Sequence, residues 1–375
     1  MSRSRDTAAV VEPASLAPAP RANPDLLGHE TAEAELRRLF DSGRMPHALL
    51  LSGPRGIGKA TLAFRLARFV LAQGAGDGGL PSLFGETESV ARLAISPEIG
   101  TFRRVASGGH ADLLTVERAY DPRRRRMRSE IIVDDTREIG AFLRLTPAEG
   151  GWRVVIVDGA DEMNRNAANA LLKILEEPPQ RSLLLLVAHS PGRLLPTIRS
   201  RCRRFPLAAL PSAIVGELLG RHRPDLERDT AAAVTALAEG SIGRALDLAA
   251  SEGITLYRAA LGLLARERGI DAAALHAFAD RLVRPEAEEA YRIVEAAITQ
   301  LLAQLARAGA GGESGAGVLP EQSVIMRRVG SQAPAARWAA LRTEIEESFA
   351  RTDALNLDRK QTILGAFFAI ERAAG

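Results

Sequence analysis

Short apolar runs and amphipathic patterns divide the chain into a mixed first part and a helical second part. Fully apolar runs are typical of strands buried on both faces of a parallel sheet, whereas helical periodicity predicts amphipathic helices. The predicted strands are 48–52, 112–116, 130–133, 153–158 and 182–188. The predicted helices are 30–40, 59–72, 136–145 and 166–177. Strands that alternate with helices indicate an α/β fold with a doubly wound parallel sheet.

Changes in composition predict the domain boundaries. Strand patterns end near residue 207, and Ala- and Leu-rich helical patterns continue to the C-terminus. Gly240, Gly269 and the Gly-rich segment 308–317 interrupt these patterns. A Gly-, Ser- and Pro-rich stretch, 73–110, reads as an insertion or long connection. The predicted parts are a disordered tail at 1–24, an α/β domain at 25–207, a small helical domain at 208–265 and a helical domain at 266–375.

The overall composition excludes several classes of protein. Of the 375 residues, 46% are hydrophobic and 25% are charged, as in soluble globular proteins, and no run approaches the roughly 18 apolar residues of a membrane span. We therefore expect no membrane partner. The single cysteine, Cys202, cannot form an internal disulfide, and one thiol with six scattered histidines provides no zinc site. The expected location is the reducing cytoplasm.

The distribution of charge limits how the chain can contact nucleic acid. Its 49 basic and 46 acidic residues leave a net charge of +3, so any DNA contact must be local. The arginine run 123–126, with Arg128, could grip phosphates, but a solvated hairpin is the simpler interpretation because no aromatic residues are interleaved. Only three basic residues are lysines: Lys59, Lys173 and Lys360.

Lys59 lies in a glycine-rich motif, Gly-Pro-Arg-Gly-Ile-Gly-Lys-Ala-Thr at 53–61, between a predicted strand and a predicted helix. Such glycines let backbone N–H groups curl around phosphate oxygens, and the lysine reaches the outer phosphates. The alternative is a structural turn. The candidate nucleotide-binding residues are Gly53, Gly56, Gly58, Lys59, Ala60 and Thr61. Ala60 stands where the pattern has the Ser or Thr that ligates Mg²⁺, which argues against metal-dependent hydrolysis.

Asp158 ends a predicted buried strand and is a second candidate for the nucleotide site, because an acid beside a phosphate loop can hold a magnesium ion. Gly159 follows it, where hydrolysing enzymes of this kind have a glutamate that polarises water. Asp161 and Glu162 come next, and their simpler interpretation is the N-cap and first turn of the following helix.

Four motifs occur together in one order: 53–61, 154–164, Asn-Ala-Leu-Leu-Lys-Ile-Leu-Glu-Glu-Pro-Pro at 169–179, and Ser-Arg-Cys at 200–202. Over about residues 26–250 they resemble the bacterial DNA polymerase III clamp loader, a family of AAA+ proteins. The resemblance implies an AAA+ P-loop parallel-sheet domain, a helical lid and an all-helical collar for oligomerisation.

The same resemblance implies roles for two arginines. Arg201 matches an arginine finger presented in trans to a neighbouring subunit's ATP, and Arg244 resembles the sensor arginine of the lid. A second sensor, a threonine in hydrolysing members, falls near His189 and Ser190. The implied cofactor is ATP. Ala60 argues against Mg²⁺, and we expect no zinc.

Ala60 replaces the Ser or Thr that ligates Mg²⁺, and Gly159 replaces the glutamate that polarises water. Both replacements favour the delta-prime branch of the family, whose members complete the ring and need not hydrolyse ATP. The implied partners are the gamma/tau and delta subunits and, through the complex, the sliding clamp and primed DNA. The alternatives are an ATP-hydrolysing AAA+ motor of the gamma/tau kind or a related remodelling ATPase, and more distantly a small-molecule P-loop kinase.

Overall fold

The computed structural model describes residues 18–75, 92–121, 126–149, 151–250, 253–265, 269–284, 287–310, 319–330, 332–355 and 357–374. The chain divides into two compact units. The first unit is Met1–Ile214 with Gly240–Gly243, and the second is Val215–Glu239 with Arg244–Gly375. Within the described ranges, no helix is both long enough and apolar enough to cross a lipid bilayer.

A parallel sheet forms the centre of the first unit. The strands of this unit are β1 (Ala48–Ser52), β2 (Leu113–Val116), β3 (Tyr120–Asp121), β4 (Arg126–Met127), β5 (Arg153–Asp158), β6 (Ser182–Ala188) and β7 (Arg203–Pro206). Five of them pair in the order β2-β5-β6-β1-β7, and β3 and β4 form a separate antiparallel pair. Every residue of β1 and β6 is buried, which confirms that their apolar runs are central strands. Leu50 pairs with Leu186, and Leu184 pairs with both Ala48 and Val155, so the three central strands end at one edge.

The helices of the first unit cover the sheet. They are α1 (Glu30–Asp41), α2 (Lys59–Ala75), α3 (Gly100–Ala106), α4 (Val133–Leu143), α5 (Arg165–Glu176) and α6 (Pro196–Arg201). Leu50 and Val155, from alternate positions of their strands, share one core with Ile139 of α4, Leu171 of α5 and Ile198 of α6. Alternate side chains of a strand point to opposite faces, which leaves the other face for α2, and α2 contacts β1, β5 and β6.

The prediction of a strand at 130–133 is wrong. Ile131 makes only an isolated bridge to Met163, and α4 begins at Val133, three residues before the predicted start. The carboxylate of Asp135 accepts a hydrogen bond of 2.9 Å from the backbone N–H of Ile132, which satisfies a donor that the first turn of a helix leaves free. This local capping outweighs the strand propensity of a short β-branched run.

The predicted insertion, 73–110, lies partly outside the described residues, which resume at Arg92. Its described part contains α3, a helix that the Gly-rich composition did not indicate. Of the predicted tail, 1–24, residues 1–17 are also outside the description. Residues 18–24 contact α2, because the guanidinium of Arg68 donates to the carbonyl oxygens of Arg21 and Asn23 at 3.0 and 2.8 Å.

The described part of the second unit is helical, as the sequence predicts after residue 207. Its helices, the first of which begins in the first unit, are α7 (Ser212–His222), α8 (Arg228–Leu237), α9 (Ile242–Ala249), α10 (Gly253–Leu264), α11 (Ala272–Leu282), α12 (Glu288–Gly309), α13 (Pro320–Val329), α14 (Ala335–Leu355) and α15 (Arg359–Ala374).

Buried polar contacts link helices on both sides of the predicted boundary at residue 265. The hydroxyl of Tyr257 in α10 donates to Oε1 of Gln300 in α12 at 3.2 Å, and it accepts from Nε2 of Gln322 in α13 at 2.9 Å. All three side chains are buried. The division into a lid and a collar at residue 265 stays a prediction.

Candidate nucleotide-binding site

The phosphate loop, residues 53–58, joins the end of β1 to the start of α2. Its three glycines have positive φ angles, of 152° at Gly53, 75° at Gly56 and 98° at Gly58. A Cβ at Gly53 would collide with the carbonyl oxygen of Leu207, so no side chain fits there. Left-handed residues in a turn orient successive N–H groups into a concave surface, and the N-terminus of α2 adds a positive dipole end. The loop therefore has the geometry of an anion cradle.

Lys59 is the first residue of α2 and is only 3% exposed. Its Nζ donates a hydrogen bond of 2.5 Å to the carbonyl oxygen of Pro54 within the loop. Burial lowers the pKa of Lys59 to about 8, and the nearby carboxylates of Asp158 and Asp161 oppose that shift. A phosphate oxygen is a charged acceptor and binds an ammonium more strongly than a peptide carbonyl does. Lys59 can therefore exchange Pro54 for a phosphate.

Asp158 is the last residue of β5, which reaches the same edge of the sheet as the phosphate loop. Burial raises the pKa of Asp158, while the positive charges of Lys59 and Arg55 oppose the shift. The structure thus brings the predicted residues Lys59 and Asp158 into one electrostatic environment, although they are far apart in sequence.

Gly159, directly after Asp158, adopts a left-handed conformation with φ of 79°. A Cβ built on Gly159 would lie 2.7 Å from Oε2 of Glu162, closer than real side chains approach. Glu162 is held in that position by an ion pair with Nε of Arg118 at 2.8 Å. Burial raises the pKa of Glu162, and Arg118 opposes the shift. A carboxylate three residues along the chain thus occupies the space beside Gly159.

Asp161 has a different role from the predicted N-cap. Its two carboxylate oxygens accept hydrogen bonds from the backbone N–H groups of His189 and Ser190, at 3.0 and 2.7 Å. The N-cap of α5 is Asn164, whose side chain accepts from the N–H of Ala167 at 2.9 Å. The predicted capping by Asp161 is therefore wrong, because Asp161 ties the loop after β5 to the loop after β6.

His189 follows β6 and lies beside the charged groups of the site. Burial lowers the pKa of His189 to about 4, and the positive charge of Lys59 adds to the shift. Its imidazole is therefore neutral at pH 7. A neutral imidazole has one donor and one acceptor nitrogen, so it presents a hydrogen bond rather than a charge at this edge of the sheet.

The loop fits a nucleotide phosphate better than it fits a magnesium ion. Ala60 has no hydroxyl to ligate a metal, and Thr61, one position later on α2, is buried. No cluster of three His, Cys, Asp or Glu side chains suited to a metal ion occurs in the described part of the chain. The carboxylates near Lys59 are those of Asp158 and Asp161, and the oxygens of Asp161 already accept backbone hydrogen bonds. The cradle for an anion is thus complete, whereas the hydroxyl ligand of the usual metal site is missing.

Arg201 is the last residue of α6, and 36% of its side chain is exposed. Its Nη2 forms an ion pair of 2.8 Å with Oε1 of Glu176, and its Nη1 donates to the carbonyl oxygen of Thr197 at 3.1 Å. These contacts are with α5 and with its own helix. Glu176 lies in the motif at 169–179, and the sequence alone indicates no role for it.

Arg244 lies in α9 of the second unit. Its guanidinium donates to Oε1 of Gln300 and, at 3.2 Å, to the carbonyl oxygen of Ala296, both on α12. Burial lowers the pKa of Arg244. Its predicted sensing role stays a prediction. The arginine run 123–126 is largely outside the description, which covers only the backbone of Arg126 in β4.

The parallel sheet and the glycine-rich loop between β1 and α2 together define a class, the P-loop α/β proteins. Residues 28–211 match the model of the family described as "DNA polymerase III, delta subunit". The match spans just under half of the chain.

Three curated relatives each match about half of the chain. DNA polymerase III subunit delta' of Pseudomonas aeruginosa is 39% identical over 199 residues, covering 52% of this chain and 53% of that protein. The gamma/tau subunit of Mycobacterium tuberculosis is 34% identical over 52% of this chain and 30% of its own length. The tau subunit of Escherichia coli is 32% identical over 51% of this chain and 26% of its own length. The chain spans about half or less of the length of these curated relatives.

Among solved structures, the DNA polymerase III gamma subunit-related protein of Thermotoga maritima aligns with 92% of this chain and 100% of its own. The sequence identity of that pair is 18%, and the TM-score is 0.42.

Proposed function

We propose that this chain is a subunit of a bacterial DNA polymerase III clamp loader, of the delta-prime kind, and acts in the cytoplasm. It works with gamma/tau and delta subunits to place a sliding clamp on primed DNA. The similarity to delta' and gamma/tau proteins supports this proposal. The alternative is an ATP-hydrolysing motor of the gamma/tau kind.

The observation that carries the choice between the two is a complete phosphate cradle without the groups that hydrolysis uses. The glycines and Lys59 are arranged for phosphate, but Ala60 lacks the hydroxyl that ligates Mg²⁺. Gly159 has no side chain, its left-handed backbone would strain any other residue, and Oε2 of Glu162 lies where a Cβ would be. The chain therefore binds nucleotide and hydrolyses it poorly, so its part in the loader is to complete and regulate the assembly.

Arg201 acts on a nucleotide bound by the adjacent subunit. It lies at the end of α6, partly exposed, and an arginine fork carries several donors in a fixed plane that matches phosphate oxygens. An arginine supplied in trans stabilises the charge that develops during phosphoryl transfer, which raises rates by about 10³-fold or more in other NTPases. The predicted helical collar, 266–375, would hold the chain in the hetero-oligomer by packing against helices of its neighbours.

Reconstitution with gamma/tau, delta, clamp and primed DNA tests this function. ATP turnover by the isolated chain should be near background, whereas the complete loader should hydrolyse ATP when clamp and DNA are added. Arg201→Ala should reduce this stimulated turnover without altering assembly. Arg193→Ala, at an exposed arginine in the turn before α6, is the matched control.

Two results would contradict the proposal. Sustained Mg²⁺-dependent turnover by the isolated chain would identify it as a motor. Failure of the chain to assemble with gamma/tau and delta would show that it is not a clamp-loader subunit.

A further inference from the structure

The last residues of α5 and α6, Glu176 and Arg201, form an ion pair. The Nη2 atom of Arg201 lies 2.8 Å from Oε1 of Glu176. Both side chains are partly exposed, at 36% for Arg201 and 50% for Glu176. The pair therefore lies at the surface of the first unit, where the arginine is accessible to another molecule.

The packing of the two helices creates this contact. Leu171 and Leu175 of α5 share a core with Ile198 of α6 and with Cys202. Pro178 and Pro179 follow α5 closely, and Pro196 begins α6, so both helices have defined ends. Because the ends and the packing are both determined, the two side chains meet across 25 residues of sequence.

The guanidinium is oriented by two contacts on different groups. Nη2 binds Glu176, and Nη1 donates to the carbonyl oxygen of Thr197, one turn earlier in α6, at 3.1 Å. These contacts use two of the five N–H donors of an arginine. The side chain is thus held in one direction while donors remain for a phosphate.

We propose that Glu176 is a positioning residue for Arg201, holding its guanidinium in one orientation at the end of α6 before the neighbouring subunit's nucleotide arrives. This inference rests on the proposed function, since it concerns how Arg201 performs its role in trans. Glu176 itself does not contact the nucleotide.

The strength of the pair suits a positioning role. A free arginine side chain loses rotamer entropy when it is fixed, and ordering it in advance removes part of that penalty from the catalytic step. An exposed ion pair is weak and is screened by salt, so the guanidinium can still shift to a more highly charged phosphate. A buried pair would hold the arginine too firmly for this exchange.

The test compares three variants in the reconstituted loader: Glu176→Ala, Glu176→Gln and Glu177→Ala. Glu177 is the matched control, because it is adjacent and exposed and none of the ion pairs in the described ranges includes it. Glu176→Ala should lower kcat for clamp- and DNA-stimulated turnover about two- to fivefold, the effect of losing an exposed ion pair, with KM for ATP unchanged. Glu176→Gln should retain part of the rate, because its amide oxygen still accepts a hydrogen bond.

Salt and a double mutant separate positioning from a structural role. The ratio of wild-type to Glu176→Ala rates should fall toward one as ionic strength rises, because screening removes the same interaction. In an Arg201→Ala background, Glu176→Ala should have no further effect. A rate equal to that of Glu177→Ala at every salt concentration, or an additive loss in the double mutant, would overturn the inference.

A measurement on the isolated chain keeps this inference distinguishable from the proposed function. Modification of Arg201 by phenylglyoxal, read by mass spectrometry, should be faster in Glu176→Ala than in the wild type or Glu177→Ala. An equal rate in all three would show that Glu176 does not hold Arg201. If modification is faster but Arg201→Ala leaves the loader's turnover unchanged, the pair exists and the trans role of Arg201 is wrong.

Discussion

Oε2 of Glu162 lies 2.7 Å from the position that a Cβ on Gly159 would occupy. Glu162 occupies the space beside Gly159 from three residues along the chain, and Arg118 fixes it there through an ion pair of 2.8 Å. The left-handed backbone at this position favours glycine, and Glu162 lies where a side chain would begin. Adding a side chain at this position has a structural consequence before it has a chemical one.

Gly159→Ala should lower the free energy of unfolding by about 1–3 kcal/mol, because a residue with a Cβ is strained at a φ of 79°. Urea denaturation measures the change. Adding Glu162→Ala to this variant should restore only the part of the lost unfolding free energy that comes from the steric contact, since the backbone strain remains.

Gly192→Ala is the control for this substitution, because Gly192 has an ordinary φ and a Cβ there would meet nothing within 4 Å. It should change stability by about 0.5 kcal/mol or less. Equal effects at Gly159 and Gly192 would contradict the strain and contact described here.

Nucleotide affinity should fall as the pH rises through about 8, because burial lowers the pKa of Lys59 to that value and the neutral amine no longer binds phosphate as a cation. Titration calorimetry with ATP between pH 7 and pH 9.5 checks the trend. Lys59→Met, which keeps the volume without the charge, should bind weakly at every pH.

The stability of the nucleotide-free chain should change in the opposite direction. Between pH 8 and the ordinary lysine value of 10.5, the unfolded chain holds more protons at Lys59 than the folded chain, so the contribution of Lys59 to stability rises with pH. The unfolding free energy of wild type minus that of Lys59→Met isolates this contribution. A difference that falls over this interval would contradict the lowered pKa.

Asp161→Ala should destabilise the first unit by about 1–3 kcal/mol, because the backbone N–H groups of His189 and Ser190 lose their carboxylate acceptor. Hydrogen exchange should increase at these two amides before it increases in the strands. Asp134→Ala is the control, because it removes an exposed carboxylate that forms a surface ion pair with Arg137. It should leave the stability and the exchange of these two amides nearly unchanged.

Arg244→Ala should lower the unfolding free energy of the second unit by about 1–3 kcal/mol, because Gln300 and the carbonyl of Ala296 lose a charged donor. Arg342→Ala, which removes an exposed pair with Glu346, is the control. ATP affinity measured on Arg244→Ala tests the predicted sensing role separately. An affinity equal to that of the wild type would contradict that role.

The central strands and the phosphate loop were predictable because their information is local. The apolar runs of β1, β5 and β6 have the predicted bounds, since a strand buried on both faces needs apolar residues along its central positions. The start of α4 was mispredicted because a single capping carboxylate, Asp135, competed with strand propensity. Helix α3 lies in the stretch 73–110, whose average composition, rich in Gly, Ser and Pro, predicts no helix.

The sequence by itself determined the alternation of strands and helices, the anion cradle around Lys59 and the absence of a hydroxyl at Ala60, because each depends on residues that are neighbours along the chain. Only the tertiary structure decided that Glu162 occupies the space beside Gly159 and that Glu176 forms an ion pair with Arg201. The second pair is separated by 25 positions and depends on how α5 packs against α6. Packing of this kind has no period or motif in the sequence, since many side chains together set the distance between two others.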